Sequence, residues 1–142
     1  MYLQNFIVDQ LTFKTDLDKK EPLAGKLGVD FEIKANPADK TKFLIRMQID
    51  WNKGQAFKKN GGHQIHMQLL GWFNFTEELA EDARNNMLLT NATSILYGVA
   101  RTIGAQLTAT LGRQKIIFPA VNLIEIAKRK AHVTAPQARS ES

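Results

Sequence analysis

Residues 42–51 read KFLIRMQIDW, and along them apolar and polar side chains alternate. Every second position is apolar, at Phe43, Ile45, Met47, Ile49 and Trp51. The opposite side of an extended chain would carry Arg46, Gln48 and Asp50. A period of two over this length predicts a β-strand with one buried face.

Three further segments show the same period and predict three further strands, over residues 4–15, 27–34 and 64–75. Their apolar positions are Phe6, Val8, Leu11 and Phe13, then Leu27, Val29, Phe31 and Ile33, then Ile65, Met67, Leu69, Phe73 and Phe75. In the first segment the parity changes at Asp9-Gln10, which predicts a β-bulge. Because the opposite faces are polar, we expect an antiparallel sheet with one face open to water.

The connections between these strands carry turn signals. Asn36-Pro37 interrupts the chain between the second and third strands, and KNGG at residues 59–62 supplies the positive dihedral angles of a hairpin turn. The segment from Asp16 to Gly25 is longer and contains Pro22. We therefore expect this first connection to cross over the sheet.

After the strands the hydrophobic period becomes that of helices. Thr76-Glu77-Glu78 predicts the start of a short helix, with a hydroxyl cap and acids in the first turn. A long helix is predicted from Leu88 to Leu111, ending before Gly112. An extended apolar segment at residues 116–119 and a last helix from Val121 to Lys130 follow. The apolar stripe of the long helix consists of Ile95, Leu96, Val99, Ile103, Leu107 and Leu111.

A stripe of small residues runs along another side of the long helix, at Gly98, Thr102, Ala105 and Ala109. Glycine in a helix interior costs about 1 kcal/mol relative to alanine, so its presence favours a close helix–helix contact, within or between subunits. An exposed face is the alternative. We predict that these four residues form an oligomer interface.

Together the elements predict one α+β domain over residues 1–132, with a four-stranded antiparallel sheet, a short helix, a long helix and a C-terminal helix. Residues 133–142 lack large apolar side chains, which predicts a disordered tail.

Composition excludes several classes of protein. The 142 residues are 44% hydrophobic, which is enough for a core, and the absence of cysteine excludes disulfides and thiolate sites. No apolar run is long enough to predict a membrane helix, and residues 1–10 lack the pattern of a signal peptide. We therefore expect a cytoplasmic protein without membrane insertion.

Residues suited to catalysis do not cluster in the sequence. His63 and His66 are three apart on a strand and would point to opposite faces, and Glu77 and Glu78 suit a helix start. We expect no enzyme, no metal site and no cofactor. The net charge of +5 leaves a basic nucleic-acid-binding protein as an alternative, although the cations are scattered.

The second half of the chain resembles the SecB protein-export chaperones. The long helix carries ILYGVAR at residues 95–101, followed closely by Ile103, and is similar to the family pattern I-L-[YF]-P-[YF]-A-R-x-x-I, with Gly98 and Val99 replacing proline and an aromatic residue. After Gly112, PAVNL at residues 119–123 is similar to the family's P-x-V-N-F, with leucine for phenylalanine. In the first half, Leu11-Thr12-Phe13 and the segment from Met67 to Phe73 resemble the family's first and fourth strands. The resemblance covers about residues 4–130.

This resemblance implies a crossover sheet with helices on one side and a homotetramer built as a dimer of dimers, with the long helices at its centre. It also implies apolar grooves that bind unfolded or nascent polypeptides without ATP. The family presents three acids to SecA, and the matching positions in this chain are Gln10, Lys14 and His66. Their loss argues against SecA docking and preprotein export, and favours solitary SecB-like chaperones, including those that protect an antitoxin.

The functional hypothesis is a SecB-like, ATP-independent holdase for non-native polypeptides. The candidate residues of its client-binding groove are Leu17, Leu23, Trp51, Leu70, Trp72, Phe118 and Leu123. Ordinary core or interface packing is the other role open to each of them. A dedicated adaptor for a single protein partner is the alternative function.

Overall fold

The computed structural model of the chain describes residues 1–16, 26–54, 62–111 and 115–130. Four strands form one antiparallel sheet: β1 (Tyr2–Asp16), β2 (Leu27–Ala35), β3 (Lys42–Trp51) and β4 (Gly62–Asn74). The predicted four-stranded sheet is therefore confirmed, and β1 and β4 are longer than the sequence pattern indicated.

The strand order is β1-β4-β3-β2, so β1 lies beside the last strand and β2 forms the opposite edge. Between β1 and β2 the chain therefore passes from one edge of the sheet to the other, as the predicted crossover requires. The path of that connection, residues 17–25, lies outside the described residues.

Strand β1 contains two irregularities in its pairing with β4. The register shifts between Leu3 and Asn5 and again between Val8 and Gln10. The second shift confirms the bulge predicted at Asp9-Gln10. It lets β1 keep its apolar residues on one face of the sheet although their parity along the sequence changes.

The helix-side face of the sheet forms the core because β3 and β4 turn every second side chain toward it. Its fully buried members are Ile45, Met47, Ile49, Ile65, Met67, Leu69 and Phe73. Their long apolar chains supply most of the surface that folding removes from water.

The helical layer begins later than predicted. Helix α1 spans Glu81–Met87 and follows Ala80, and no side chain caps its first turn. The chain from Thr76 to Ala80 is irregular, so the prediction of a Thr76-capped helix is wrong. Glu81 and Asp82 take the place of the predicted first-turn acids and offset the helix dipole.

One π-helical turn, Leu88–Ala92, joins α1 to the long helix α2 (Thr93–Leu111). A final helix, α3, covers residues 123–130. Gly112, the predicted stop of α2, and the predicted tail lie outside the described residues. Within the described ranges, no helix combines the length and the apolar character that crossing a bilayer needs.

Helix α2 turns to the core a line of residues that overlaps the predicted stripe only in part, at Leu96. The buried line consists of Leu96, Tyr97, Ala100, Gly104 and Thr108. Val99 and Ile103 are half-buried beside it, whereas Ile95 is 41% exposed, so its assignment to the core stripe is wrong. The reason is packing: small residues at 100, 104 and 108 let the segment 115–122 approach the helix.

Gly104 shows how close that approach is. A β-carbon at this position would lie 2.6 Å from Cε2 of Phe118, inside any real carbon–carbon contact. The Phe118 side chain is fully buried and its ring centre lies 5.7 Å from that of Trp51. Glycine is therefore required at position 104 by the packing of the single chain, because a larger residue would collide with the Phe118 ring.

Candidate functional site

The face of the sheet opposite the helices is divided into an apolar half and a polar half. In the apolar half Ile7 pairs with Leu70, and Trp72 pairs with Leu44 on its other side. Cross-strand partners share a face, so these four side chains lie together, and we call them the outer apolar patch. Ile7 is 44% exposed and the other three are half-buried.

A cavity of about 350 Å³ opens beside the outer apolar patch. Trp72 and Leu44 contribute to its wall, together with Ala35 and Pro37 from the end of β2 and its turn. This volume lies in the range of protein sites that bind small ligands or side chains. The patch therefore has depth as well as apolar area.

The polar half of the same face is held by side-chain hydrogen bonds between strands. The Gln48 amide donates to Gln68 at 2.9 Å, and the Gln68 amide donates to the Asp9 carboxylate at 2.5 Å. His66 Nδ1 lies 2.7 Å from the Asp50 carboxylate.

By the resemblance, Gln10, Lys14 and His66 stand where the SecB family has the acids that bind SecA. Two of them, Gln10 and His66, meet in the polar half of this face. His66 Nε2 lies 3.3 Å from Oε1 of Gln10, and Lys14 pairs with Gln64 on the same face. The carboxylates of Asp9 and Asp50 are close by, but both are engaged by neighbouring side chains.

The residues proposed for the client groove fall into three groups. Leu70 and Trp72 lie on the outer face, in the outer apolar patch. Trp51, Phe118 and Leu123 are 6%, 0% and 5% exposed and belong to the core. In the single chain these three side chains therefore serve core packing, because they have almost no surface left for a ligand. Leu17 and Leu23 lie outside the described residues.

The small-residue stripe faces away from the core. Gly98, Thr102 and Ala109 are exposed and Ala105 is half-buried. A β-carbon at Gly98 would meet no atom within 4 Å, so nothing in the described chain requires glycine there. The Thr102 hydroxyl donates to the Gly98 carbonyl at 3.1 Å, so this polar group is bonded within the helix.

The helix-side face of β1 carries exposed apolar side chains. Phe6, Val8 and Leu11 pair with core residues of β4 and share their face, but they are 39%, 37% and 45% exposed. The main contacts of helix α2 with the sheet are to β3 and β4. The expectation of a buried face on the first strand is therefore wrong for these residues. Sequence alternation reveals which side is apolar, but not whether a helix covers it.

The aromatic and arginine positions of the family-like motif fix the segment after α2. The Tyr97 hydroxyl donates to the Pro119 carbonyl at 2.5 Å, and Arg101 Nε donates to the Phe118 carbonyl at 2.8 Å. Burial raises the pKa of Tyr97 above its ordinary value of 10.0, and the nearby Arg101 cation opposes this shift. These residues act through structure, by holding the segment that leads to α3.

The two strand histidines face opposite sides, as predicted. His63 is buried with its ring 5.2 Å from that of Phe13, whereas His66 lies on the outer face. Among the described residues, no group of three histidine, aspartate or glutamate side chains could hold a metal ion.

Comparison with solved structures identifies the fold. The SecB-like chaperone Rv1957 of Mycobacterium tuberculosis, solved with a ChAD peptide from the HigA1 antitoxin Rv1956, superposes with a TM-score of 0.63. The identity is 14%, over 84% of this chain and 86% of the other. A protein of unknown function from Streptococcus agalactiae gives a TM-score of 0.39 at 12% identity, over 84% and 96% of the two chains.

No protein-family model matches the chain, and no curated protein matches its sequence. The structural agreement extends over most of both chains in the first comparison and includes the four-stranded antiparallel sheet with its helical layer. The chain has a SecB-like α+β fold.

Proposed function

We propose that the protein is an ATP-independent holdase that binds non-native polypeptides, without enzymatic activity, in the cytoplasm. The observation that carries this proposal is the outer apolar patch, which interrupts an otherwise polar sheet face and opens into the adjacent cavity. The SecB-like fold supports a chaperone role in general.

Binding to the outer apolar patch would be driven by burial of client side chains. Each large apolar side chain removed from water contributes roughly 1.5–3 kcal/mol before ordering costs. Leu70 and Trp72 form the centre of the patch and Ile7 extends it onto β1. A mixture of half-buried aliphatic and aromatic surface suits many apolar segments, which is what a general holdase needs.

Light scattering of a chemically unfolded, aggregating client tests this proposal, with and without the protein and without ATP. We expect suppression at near-stoichiometric amounts. Trp72→Ala should raise the amount needed for half-suppression by about 10- to 100-fold, because it removes the largest side chain of the patch. Thr12→Ala changes an exposed side chain in the polar half of the same face and should have no effect.

Equal suppression by Trp72→Ala and the unmodified protein would show that clients bind elsewhere. In that case Leu17 and Leu23 of the crossover connection become the first residues to test. Loss of suppression in both variants would indicate general damage to the sheet.

A dedicated adaptor is the second candidate, and the complex of the Mycobacterium tuberculosis neighbour with one antitoxin peptide favours it. Such an adaptor would suppress none of several unrelated clients and would bind one partner, for which an antitoxin is the first candidate. We do not extend the proposal to SecA, because Gln10, Lys14 and His66 replace the acids that the family resemblance calls for.

We also propose that the protein assembles into a homo-oligomer, a dimer of dimers. Two exposed surfaces support this assembly: the helix-side residues Phe6, Val8 and Leu11 of β1, and the small-residue stripe of α2 that includes Gly98. Both belong to the helix side of the sheet, so the helical layer of another copy could cover them together. Exposed apolar side chains grouped on one face, as on β1, are typical of protein interfaces.

A further inference from the structure

Among the described residues, no strand pairs with the outer edge of β2, and the hydrogen-bonding groups of this open edge can be assigned from the register. The Asn36 N–H donates to the Lys42 carbonyl at 3.0 Å, and the Asn52 N–H donates to the Lys26 carbonyl at 2.9 Å. In an antiparallel pair, hydrogen-bonded residues alternate with residues whose N–H and C=O point away from the partner strand. The even-numbered residues of β2 therefore bond to β3, and Val29, Phe31 and Ile33 direct their backbone groups to the open edge.

Both outward backbone groups of Phe31, in the middle of this edge, are occupied by one ion pair. The Phe31 N–H donates to Asp30 Oδ1 at 2.8 Å. The Lys130 ammonium, at the end of α3, donates to the Phe31 carbonyl and lies 2.9 Å from the same Asp30 oxygen. The ammonium is also 5.7 Å from the centre of the Phe31 ring.

An added strand would offer Phe31 the same two partners, one acceptor and one donor. The Asp30 carboxylate and the Lys130 ammonium thus make the two hydrogen bonds to Phe31 that a neighbouring strand would make. We propose that the Asp30–Lys130 ion pair is a reversible plug on β2, which an extended client polypeptide displaces when it adds to the sheet as a fifth strand. This inference rests on the proposed function.

The plug is suited to being displaced. The side chains of Lys130 and Asp30 are 43% and 60% exposed, and ion pairs that are open to water contribute little. Strand addition to a sheet edge uses backbone bonds and therefore accepts many sequences.

Apolar space beside the edge suits the side chains of a client. A cavity of about 290 Å³ on the helix side is lined by Ile33, Ala35, Leu88 and Leu89, among others. A second cavity, of about 450 Å³, lies at the other end of the strand and has a mixed wall, in which Leu27 and Val29 are joined by charged and polar side chains such as Asp30 and Gln48.

A client fits this edge better than a second copy of the chain does. Lysine side chains and inward-pointing charges on an edge strand prevent the sheets of two identical molecules from pairing edge to edge. Two copies that paired through β2 would have to displace two plugs at one contact, whereas a client displaces one.

The test compares Lys130→Met with Lys128→Met, which removes the same charge from an exposed site on the same helix. Binding of reduced, carboxymethylated lactalbumin, a permanently unfolded chain, is measured by calorimetry at low and high salt. We expect Lys130→Met to bind up to about fivefold more tightly than Lys128→Met. High salt should reduce this ratio toward one, because screening weakens the plug wherever it is present.

A second readout needs no client. Hydrogen exchange of the Phe31 amide should be faster in Lys130→Met than in Lys128→Met, because the Asp30 carboxylate loses the cation that holds it in place. If the unmodified protein binds no unfolded chain, the proposed function fails and this exchange rate alone decides whether the plug exists.

Two results would overturn the inference. Equal client affinities and equal exchange rates in the two variants would show that Lys130 does not close the edge. Association of Lys130→Met into species larger than the oligomer of the unmodified protein, seen in sedimentation and absent from Lys128→Met, would show that the occupant of the edge is a second copy.

Discussion

The two edges of the sheet differ in how their surfaces are protected. Strand β1 exposes apolar side chains along its length, at Tyr2, Phe6, Ile7, Val8 and Leu11. Strand β2 is shorter, buries Phe31, and carries a charged plug at its centre.

This difference indicates two kinds of partner. An apolar edge left in water favours aggregation, so natural proteins cover it permanently. A weak ion pair can be displaced and restored many times. The β1 edge therefore suits lasting assembly with other copies, and the β2 edge suits transient contact with clients.

A charge placed on β1 should have the largest effect on the proposed difference between the two edges. Leu11→Lys should dissociate the oligomer, because an ammonium cannot be buried unpaired in an apolar contact. Loss of one apolar contact of about 1.5–3 kcal/mol, counted twice in a two-fold interface, weakens association by about 10²- to 10⁴-fold. Sedimentation at micromolar concentration measures this effect.

Lys34→Glu is the matched control, since it changes an exposed charge on β2 and should leave the oligomer intact. Leu11 is already 45% exposed in the single chain, so its replacement should not unfold the sheet. A monomeric unmodified protein would contradict the assembly proposal, and an intact Leu11→Lys oligomer would place the interface away from β1.

A second prediction concerns the helical layer that carries Lys130 to the β2 edge. Gly104→Ala should lower the free energy of unfolding by about 1–2 kcal/mol, because the cost of overpacking against Phe118 exceeds the gain in helix propensity. Gly98→Ala meets open space and should raise the stability of the isolated chain by up to about 1 kcal/mol. Urea unfolding of both variants, under conditions that keep the chain monomeric, measures the contrast.

The same two glycine variants also test which surface of α2 lies in the oligomer interface. Under assembling conditions Gly98→Ala should weaken the oligomer, since its methyl group would occupy the interface stripe. If both glycine variants change stability in the same direction, the distinction between an internal and an external role for them is wrong.

The smallest effect concerns the turn that connects β2 to β3. Hydrogen bonds from the Thr41 hydroxyl at 2.6 Å and from its backbone N–H at 2.9 Å hold the pKa of Asp39 below its ordinary value of 3.8. The folded carboxyl therefore contributes stability that is present above the unfolded pKa and lost as pH falls through the lower folded pKa.

Thr41→Val removes the hydroxyl donor and should raise the pKa of Asp39 toward its ordinary value. An NMR titration of the Asp39 carboxyl carbon measures this change. An unchanged pKa would mean that the backbone N–H bond alone accounts for the shift.

The period of two located all four strands and even the bulge in β1, because alternation records which side of a strand is apolar. The same pattern could not show that Phe6, Val8 and Leu11 remain exposed, since exposure depends on where α2 lies. The family-like motif indicated the fold, and the structure gives Tyr97 and Arg101 a physical role, as donors to the segment between α2 and α3.

The candidate site was predicted less completely than the fold. Leu70 and Trp72 were identifiable because they interrupt a polar face, whereas Trp51 and Phe118 are equally apolar but pack against each other in the core. The plug could not be predicted, because Lys130 and Asp30 are a hundred positions apart and meet only through the docking of α3 on the sheet.

The π-helical turn Leu88–Ala92 sets the rotational phase between α1 and α2. A π turn holds one more residue than an α turn, and each residue of a helix advances the side chains by about 100°. Through this offset α1 presents Arg84 to the Phe43 ring, with the guanidinium carbon 5.1 Å from the ring centre. Insertion or deletion of a single residue there would turn a different face of α1 to the sheet, and it would also shift Leu88 or Ala92, which the turn contributes to the core.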